Sequence, residues 1–182
     1  LCGSMIAIEE DKTFVFSNTH ECLEYVCQKV EGFIEAQTGI DKNKILGICF
    51  NLSGRMNAMA GTSASVFNFE EMQGVSLSEL LSERFGRNVY LENDSKSMAF
   101  GEYVSGANQK YQNMLYVNLG WGLGLGIIIY GKIYYGMDGY SGELGHIPVY
   151  NNNILCHCGK KGCLETEVSG RALHRKIMER LR

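Results

Sequence analysis

Gly142-Glu143-Leu144-Gly145-His146, followed by Cys156-His157-Cys158-Gly159-Lys160-Lys161-Gly162-Cys163-Leu164-Glu165, limits what this chain can fold into more than any other stretch. Zinc takes four soft or borderline ligands in a tetrahedron. Cys156 and Cys158 stand two apart, and Cys163 follows a Gly-Lys-Lys-Gly turn. Glycines at both ends of that turn let the backbone fold back until the thiolates converge. His146 can return from the preceding loop as the fourth ligand. His157 is the competing candidate, although its place between two ligating cysteines turns its side chain away. Four protein ligands leave no open position, so the metal is expected to be structural. Chance proximity of three loop cysteines is the alternative, but CxC followed by Gly-x-x-Gly-Cys is hard to reach that way. Such a metal supplies on the order of 10 kcal/mol of folding free energy. It would lock the loop that carries His146 and Glu165. Glu143 and Glu165 flank the cluster, and polar groups pinned beside a pocket point to a small polar ligand.

The 182 residues suffice for one large domain or two small ones, with 45% hydrophobic and 20% charged residues, the balance of a globular protein. A net charge of -3 gives no support for a broad nucleic-acid surface. No apolar run is long enough to span a bilayer, and no secretory signal is seen, so a cytoplasmic protein without membrane partners is expected. The chain starts at Leu1 rather than Met, as expected of a fragment or a processed product. Seven cysteines, an odd number, do not suggest a disulfide framework. Cys2, Cys22, Cys27 and Cys49 scatter among apolar neighbours and read as buried thiols in a reducing compartment.

Strands alternate with helices, which argues for an α/β fold. Met5 to Phe16 reads as extended around a charged turn at Glu9 to Lys12. Asn18 or Thr19 can cap a helix that aligns Leu23, Val26, Cys27, Val30, Phe33 and Ile34 and stops at Gly39. Ile45 to Phe50 reads as a buried strand. Ser76-Leu77-Ser78-Glu79 is a capping box, with Leu77, Leu80, Leu81 and Phe85 on one face and Gly86 as the stop. Asn88 to Glu92 is a strand, and a helix starts near Asp94 with Met98, Ala99 and Tyr103. Met114 to Leu119 and Leu125 to Tyr130 are strands, and Gly131-Lys132 turns into Ile133-Tyr134-Tyr135. Gly170 to Arg182 is helical, with Leu173, Ile177 and Leu181 in line.

GELGH followed by CxCGxxGCLE resembles the ROK family (repressors, open reading frames, kinases), which contains sugar kinases and sugar-responsive repressors. Leu91-Glu92-Asn93-Asp94 followed by Ala99 is similar to its END motif. Leu119-Gly120-Trp121-Gly122-Leu123-Gly124 is similar to its second phosphate motif, LGTGxG, and Ser53-Gly54-Arg55-Met56-Asn57 to its GRVN segment. The resemblance runs from about Ile45 to the end. It implies an actin-like, hexokinase-like (ribonuclease H-like) ATPase fold of two α/β domains with a cleft, incomplete at both ends. The division is expected at residues 1–112 and 113–182. It implies zinc on His146, Cys156, Cys158 and Cys163. It implies sugar contacts from Gly54, Arg55, Asn93, Asp94, Glu143, His146 and Glu165. Asp94 matches the general base of the kinases, and a helix start stabilises a carboxylate there. Taken singly these residues have plainer roles. Asp94 would be a helix N-cap, the two glutamates exposed loop acids, His146 a satisfied loop histidine and Arg55 a solvated charge.

The chain departs from the kinases at three places. No DxGGTK phosphate loop is found, and Leu1-Cys2-Gly3-Ser4 does not replace it. Trp121 stands where kinases carry a Thr, and an indole cannot supply that hydroxyl. The part of the second domain that would complete the nucleotide site is expected to be missing after Arg182. Gly120, Gly122 and Gly124 remain as weak candidates for nucleotide contact. Phosphoryl transfer rests on positioning and charge stabilisation, so losing the phosphate clamps removes its main source of rate. The pattern fits a sugar sensor of a repressor, similar to the xylose-repressor group, better than a catalyst. DNA would be read by a helix-turn-helix outside these residues. The rival is a fragment of a glucokinase-like, ATP- and Mg2+-dependent sugar kinase. The family likeness implies a homodimer or higher oligomer. The basic end, His174-Arg175-Lys176 and Arg180 to Arg182, reads as a helix C-terminal charge bias.

Overall fold

The computed structural model describes residues 3–69, 74–106 and 110–182. Helix α1 (His20–Ala36) starts where the Thr19 hydroxyl accepts the Cys22 N–H at 3.2 Å. It buries Cys22, Leu23 and Cys27. Helix α2 (Leu77–Phe85) has the expected capping box, with Ser76 and Glu79 bonded reciprocally, and ends at Gly86 in the left-handed conformation. Leu77 and Leu81 of α2 join the α1 face, Phe50, Met56 and Phe67 in one apolar core.

Strand β1 (Ile48–Leu52) pairs parallel with β4 (Val89–Asn93), from Ile48 opposite Val89 to Leu52 opposite Asn93. That register carries the Ser53-Gly54-Arg55 turn and the Asn93-Asp94 junction to the same carboxyl-terminal edge, where open α/β sheets bind ligands. A short antiparallel pair, β2 (Met56–Asn57) and β3 (Thr62–Ser63), follows the turn. Helix α3 (Asp94–Ser105) leaves β4 without a loop.

A three-stranded antiparallel sheet is built from β5 (Met114–Leu119), β6 (Leu123–Ile129) and β7 (Lys132–Ile133). The β5–β6 turn is Gly120-Trp121-Gly122. α3 lies against this sheet as well as against β4. Its approach is close because β6 presents Gly124 and Gly126 to it. A Cβ at Gly126 would stand 2.7 Å from the Ser95 carbonyl oxygen and collide with the Ala99 methyl. The chain then runs through a 3₁₀ turn (Leu144–His146) and the cysteine loop into α4 (Glu165–Val168) and α5 (Gly170–Arg180). Among the described residues, no helix is long and apolar enough to cross a membrane.

Several expectations need correction. Met5 to Phe16 joins no ladder among the described residues, and Met5, Ile6, Ile8 and Val15 are exposed, because an extended segment is a strand only where a sheet edge meets it. α1 ends at Ala36, ahead of Gly39, where the Gln37 N–H bonds back to Ile34. β1 lies two to three residues later than expected, since its extent is set by β4. β6 starts at Leu123, and the strand after Gly131 covers only Lys132–Ile133. α5 ends at Arg180, and Leu173, Ile177 and Leu181 are exposed rather than core. Cys22 and Cys27 are buried, but Cys49 is exposed on the outward side of β1; Cys2 lies outside the described residues.

Candidate metal centre and adjoining cavity

Residues 142 to 165 are folded by backbone pairing before any metal is considered. Val149 and Tyr150 N–H groups donate to the Gly162 carbonyl, Leu164 N–H donates to Ile147, and Cys156 N–H donates to Lys160. Gly162, at φ 75°, packs so tightly on the Tyr150 carbonyl that no Cβ fits. These contacts bring the His146 loop over the cysteine turn. One ligand atom each from His146, Cys156, Cys158 and Cys163 lies within 4.8 Å of the others. Cys156 Sγ is 3.5 Å from His146 Nδ1, and Cys158 Sγ is 3.6 Å from Cys163 Sγ. A tetrahedron with metal–sulfur bonds of about 2.3 Å has edges of about 3.8 Å, so the spacing and donor set fit such an ion. Burial pushes the Cys156 thiol up to about 12 and raises Cys163 as well. A cation at the centre reverses that bias and holds the sulfurs as thiolates.

His157, the competing ligand, has its Nδ1 3.9 Å from Cys156 Sγ but stands outside the His146–Cys156–Cys158–Cys163 group, grouping instead with His146 and Glu165. Its Nδ1 is 3.1 Å from Glu165 Oε1 and 3.1 Å from Arg171 Nη1. One nitrogen cannot donate to the first and accept from the second. The carboxylate can only accept, whereas the guanidinium has other donors, so the proton belongs on Nδ1 toward Glu165. Desolvation depresses the His157 pKa, with the Glu165 charge opposing it.

The centre forms one end of a cavity of about 450 Å3. Every residue singled out for ligand contact in the sequence lines it: Gly54, Arg55, Asn93, Asp94, Glu143, His146 and Glu165. The structure places them on two walls. On the first, Asn93 caps α3 by accepting the Lys96 N–H at 3.1 Å and donates from Nδ2 to the Gly54 carbonyl at 2.9 Å. Asp94 is therefore not the N-cap. Its Oδ1 accepts the Ser95 N–H at 2.6 Å and its Oδ2 the Ser53 hydroxyl at 2.6 Å. On the second wall, Glu165 is 6% exposed, and its Oε2 accepts the Leu123 N–H at 2.9 Å. Glu143 Oε2 lies 3.8 Å from His146 Nε2, so the imidazole has one nitrogen toward the cysteines and the other toward a cavity acid.

The three turn glycines also border the cavity. Gly120 accepts the Gly170 N–H, Gly122 gives room to Glu165, and Gly124 gives room to Ser95. At Gly122 and Gly124 protein neighbours alone demand the small size, whereas a Cβ at Gly120 would meet only Asn118 Oδ1 at an ordinary 3.8 Å. Sequence reasoning missed Arg171 and Lys96, and it weighed His157 only as a metal ligand and Ser53 only as part of a motif, not as groups bonded to the cavity acids. Lys96 is 3% exposed, donates from Nζ to the Gly139 carbonyl at 2.6 Å, and lies 5.7 Å from the Tyr135 ring centre. It ties the helix of Asp94 to the loop leading to Glu143. Helical lysines ordinarily read as solvated, so no local signal marked it.

Comparison with known proteins supplies a frame for this geometry. A family model described as the ROK family matches residues 4–182. The chain is 38% identical over 112 residues to a glucokinase of Thermotoga maritima, covering 62% of this chain and 35% of that protein. It is 36% identical over 129 residues to a xylose repressor of Caldicellulosiruptor bescii, covering 71% of this chain and 32% of that protein. A solved ROK family glucokinase from Streptomyces griseus, in complex with glucose and AMPPNP, superposes with a TM-score of 0.75 at 34% identity. That match covers 90% of this chain and 51% of the other. The chain thus spans about a third of the curated relatives and half of the solved structure. The fold is the α/β, actin-like ATPase type of the ROK hexokinases and glucokinases.

Proposed function

This chain belongs to the ROK family, and from that premise we propose that it is the sugar-sensing segment of a ROK-type transcriptional regulator, with a structural zinc ordering its sugar pocket. The observation that carries the reading is a contrast within one cavity. The hydroxyl-binding groups Asn93, Asp94, Glu143, His146 and Glu165 converge on it, while Trp121 occupies its phosphate-motif turn. Carboxylates and an amide in fixed positions suit sugar hydroxyls, which donate and accept. An indole in place of a small hydroxyl does not suit nucleotide phosphates. The zinc holds His146, Cys156, Cys158 and Cys163 and fixes the Glu165 loop. The two units, 1–112 and 113–182, close on the sugar with α3 straddling them. Differential affinity for open and closed forms carries the signal to DNA-reading helices outside these residues. The protein works in the cytoplasm as a dimer or higher oligomer.

Calorimetry of the zinc-loaded protein, in its native chain, against a panel of pentoses, hexoses and amino sugars is expected to show saturable binding of at least one. Absence of binding across the panel overturns the reading. A second reading, an ATP-dependent sugar kinase, is favoured by Asp94 lining the cavity beside Ser53 at the position of the kinase base. A coupled ADP-release assay separates the two: sugar-dependent turnover abolished by Asp94→Asn establishes the kinase.

A further inference from the structure

Trp121 is the only tryptophan of the 182 residues, and 59% of it is exposed. An indole on a turn between two glycines would ordinarily swing freely. This one is held. The Arg171 guanidinium lies 6.0 Å from the ring centre, and the His174 ring is 5.8 Å away. The Gly170 and Arg171 N–H groups donate to the Gly120 and Trp121 carbonyls at 2.8 and 3.2 Å. His157 Nδ1–H donates to Glu165, and Glu165 accepts the N–H of Leu123, two residues beyond the indole; Arg171 Nη1 stands 3.1 Å from that same protonated nitrogen and so makes no hydrogen bond to it. The bonds to Gly120, Trp121 and Leu123 anchor the indole's turn and the buried carboxylate on one wall.

The cavity they border is larger than one sugar ring needs. The dozen heavy atoms of a hexose occupy on the order of 200 Å3 at protein packing density, against about 450 Å3 here. The lining is also divided in chemistry. Asp94, Asn93 and Glu143 offer acceptors and an amide for hydroxyls, whereas the Trp121 end offers an indole with the Arg171 guanidinium over one side of its ring and His157 on the same cavity lining. A pyranose has such a double character: hydroxyls around its rim and a patch of C–H groups on its face. Those C–H hydrogens carry slight positive charge and are attracted to the negative face of an aromatic ring.

We infer that Trp121 forms a second saccharide subsite, so that the pocket takes a two-ring glycoside. One ring is held by the carboxylates, and the next lies on the indole with its hydroxyls toward Arg171 and His157. The inference rests on the sugar-binding reading above and names the ligand class for the same cavity.

The test uses zinc-loaded protein in its native chain, titrated with monosaccharides and with the α- and β-linked disaccharides that contain them. Calorimetry is expected to give at least one disaccharide tenfold or more tighter than its parent monosaccharide. Trp121→Ala is expected to bring that ratio close to one, Trp121→Tyr to retain part of it, and Arg171→Gln to reduce it. Tryptophan emission is expected to shift with the disaccharide, and the shift should be missing in Trp121→Phe. Binding of monosaccharides with no disaccharide preferred, or a preference that survives Trp121→Ala, overturns the second subsite and leaves the sensing function standing. Binding of no saccharide overturns both.

Discussion

Lys96 carries a charge where the chain can least accommodate one. Burial lowers its pKa, while Glu92 and Glu143 oppose the shift; Tyr135, which also faces it, has its phenol pushed up by burial and by its hydrogen bond to Glu92. The sign of the pH effect follows. Between the lowered folded value and the unfolded value of about 10.4, the unfolded chain holds more protons, so stability rises with pH. Relative to Lys96→Met, the wild type is therefore expected to gain stability as pH climbs through that interval. Paired urea melts from pH 8 to 10.5 check it. Asp94 allows a second expectation at this scale. A hydrogen bond to a charged group contributes about 1.5–3 kcal/mol, so if Asp94 meets a sugar hydroxyl as proposed, Asp94→Asn should weaken sugar binding about 10- to 100-fold in a titration. Asp94 and the cysteines were legible in the sequence because their motifs are contiguous. Lys96 was not, because its burial depends on Gly139 and Tyr135, some forty residues away. Cys49 misled for a similar reason: alternation along a strand does not say which side faces out.

At the level of elements, local signals located most of the helices and strands but not always their neighbours. The Ser76 capping box and Gly86 stop need only their own turn, and both formed as read. Met5 to Phe16 needs a partner strand to be a strand, and β1 takes its limits from β4. The Leu173-Ile177-Leu181 line correctly signalled α5, whose last residue is Arg180, yet periodicity does not say what covers the line. Gly126 illustrates how packing hides in sequence. It looks like one more glycine of a turn-rich stretch, but it is the contact point of α3 on β6. Overpacking there is expected to cost about 1–3 kcal/mol in Gly126→Ala, despite the better strand propensity of alanine. A lowered urea midpoint with unchanged slope would register it. An unchanged midpoint would mean that α3 can lift away from the sheet.

For the whole molecule, the parallel register of β1 and β4 sets one wall and the cysteine loop the other, and α3 touches the sheets of both. Residues far apart in sequence, Gly54, Asp94 and Glu165, meet only because of this topology, which no single motif discloses. The family resemblance brought them together in advance, whereas composition and periodicity left them as separate loop residues. A further consequence belongs to His146, whose two nitrogens serve different masters. Under the proposed function, guest and ion would share this imidazole, and if the closed pocket favours both, linkage makes each tighten the hold on the other equally. Saturating saccharide should slow the escape of zinc to a competing chelator such as a pyridylazo dye, and His146→Gln should uncouple the two. Under that proposal, sugar occupancy and metal retention would be linked in one equilibrium.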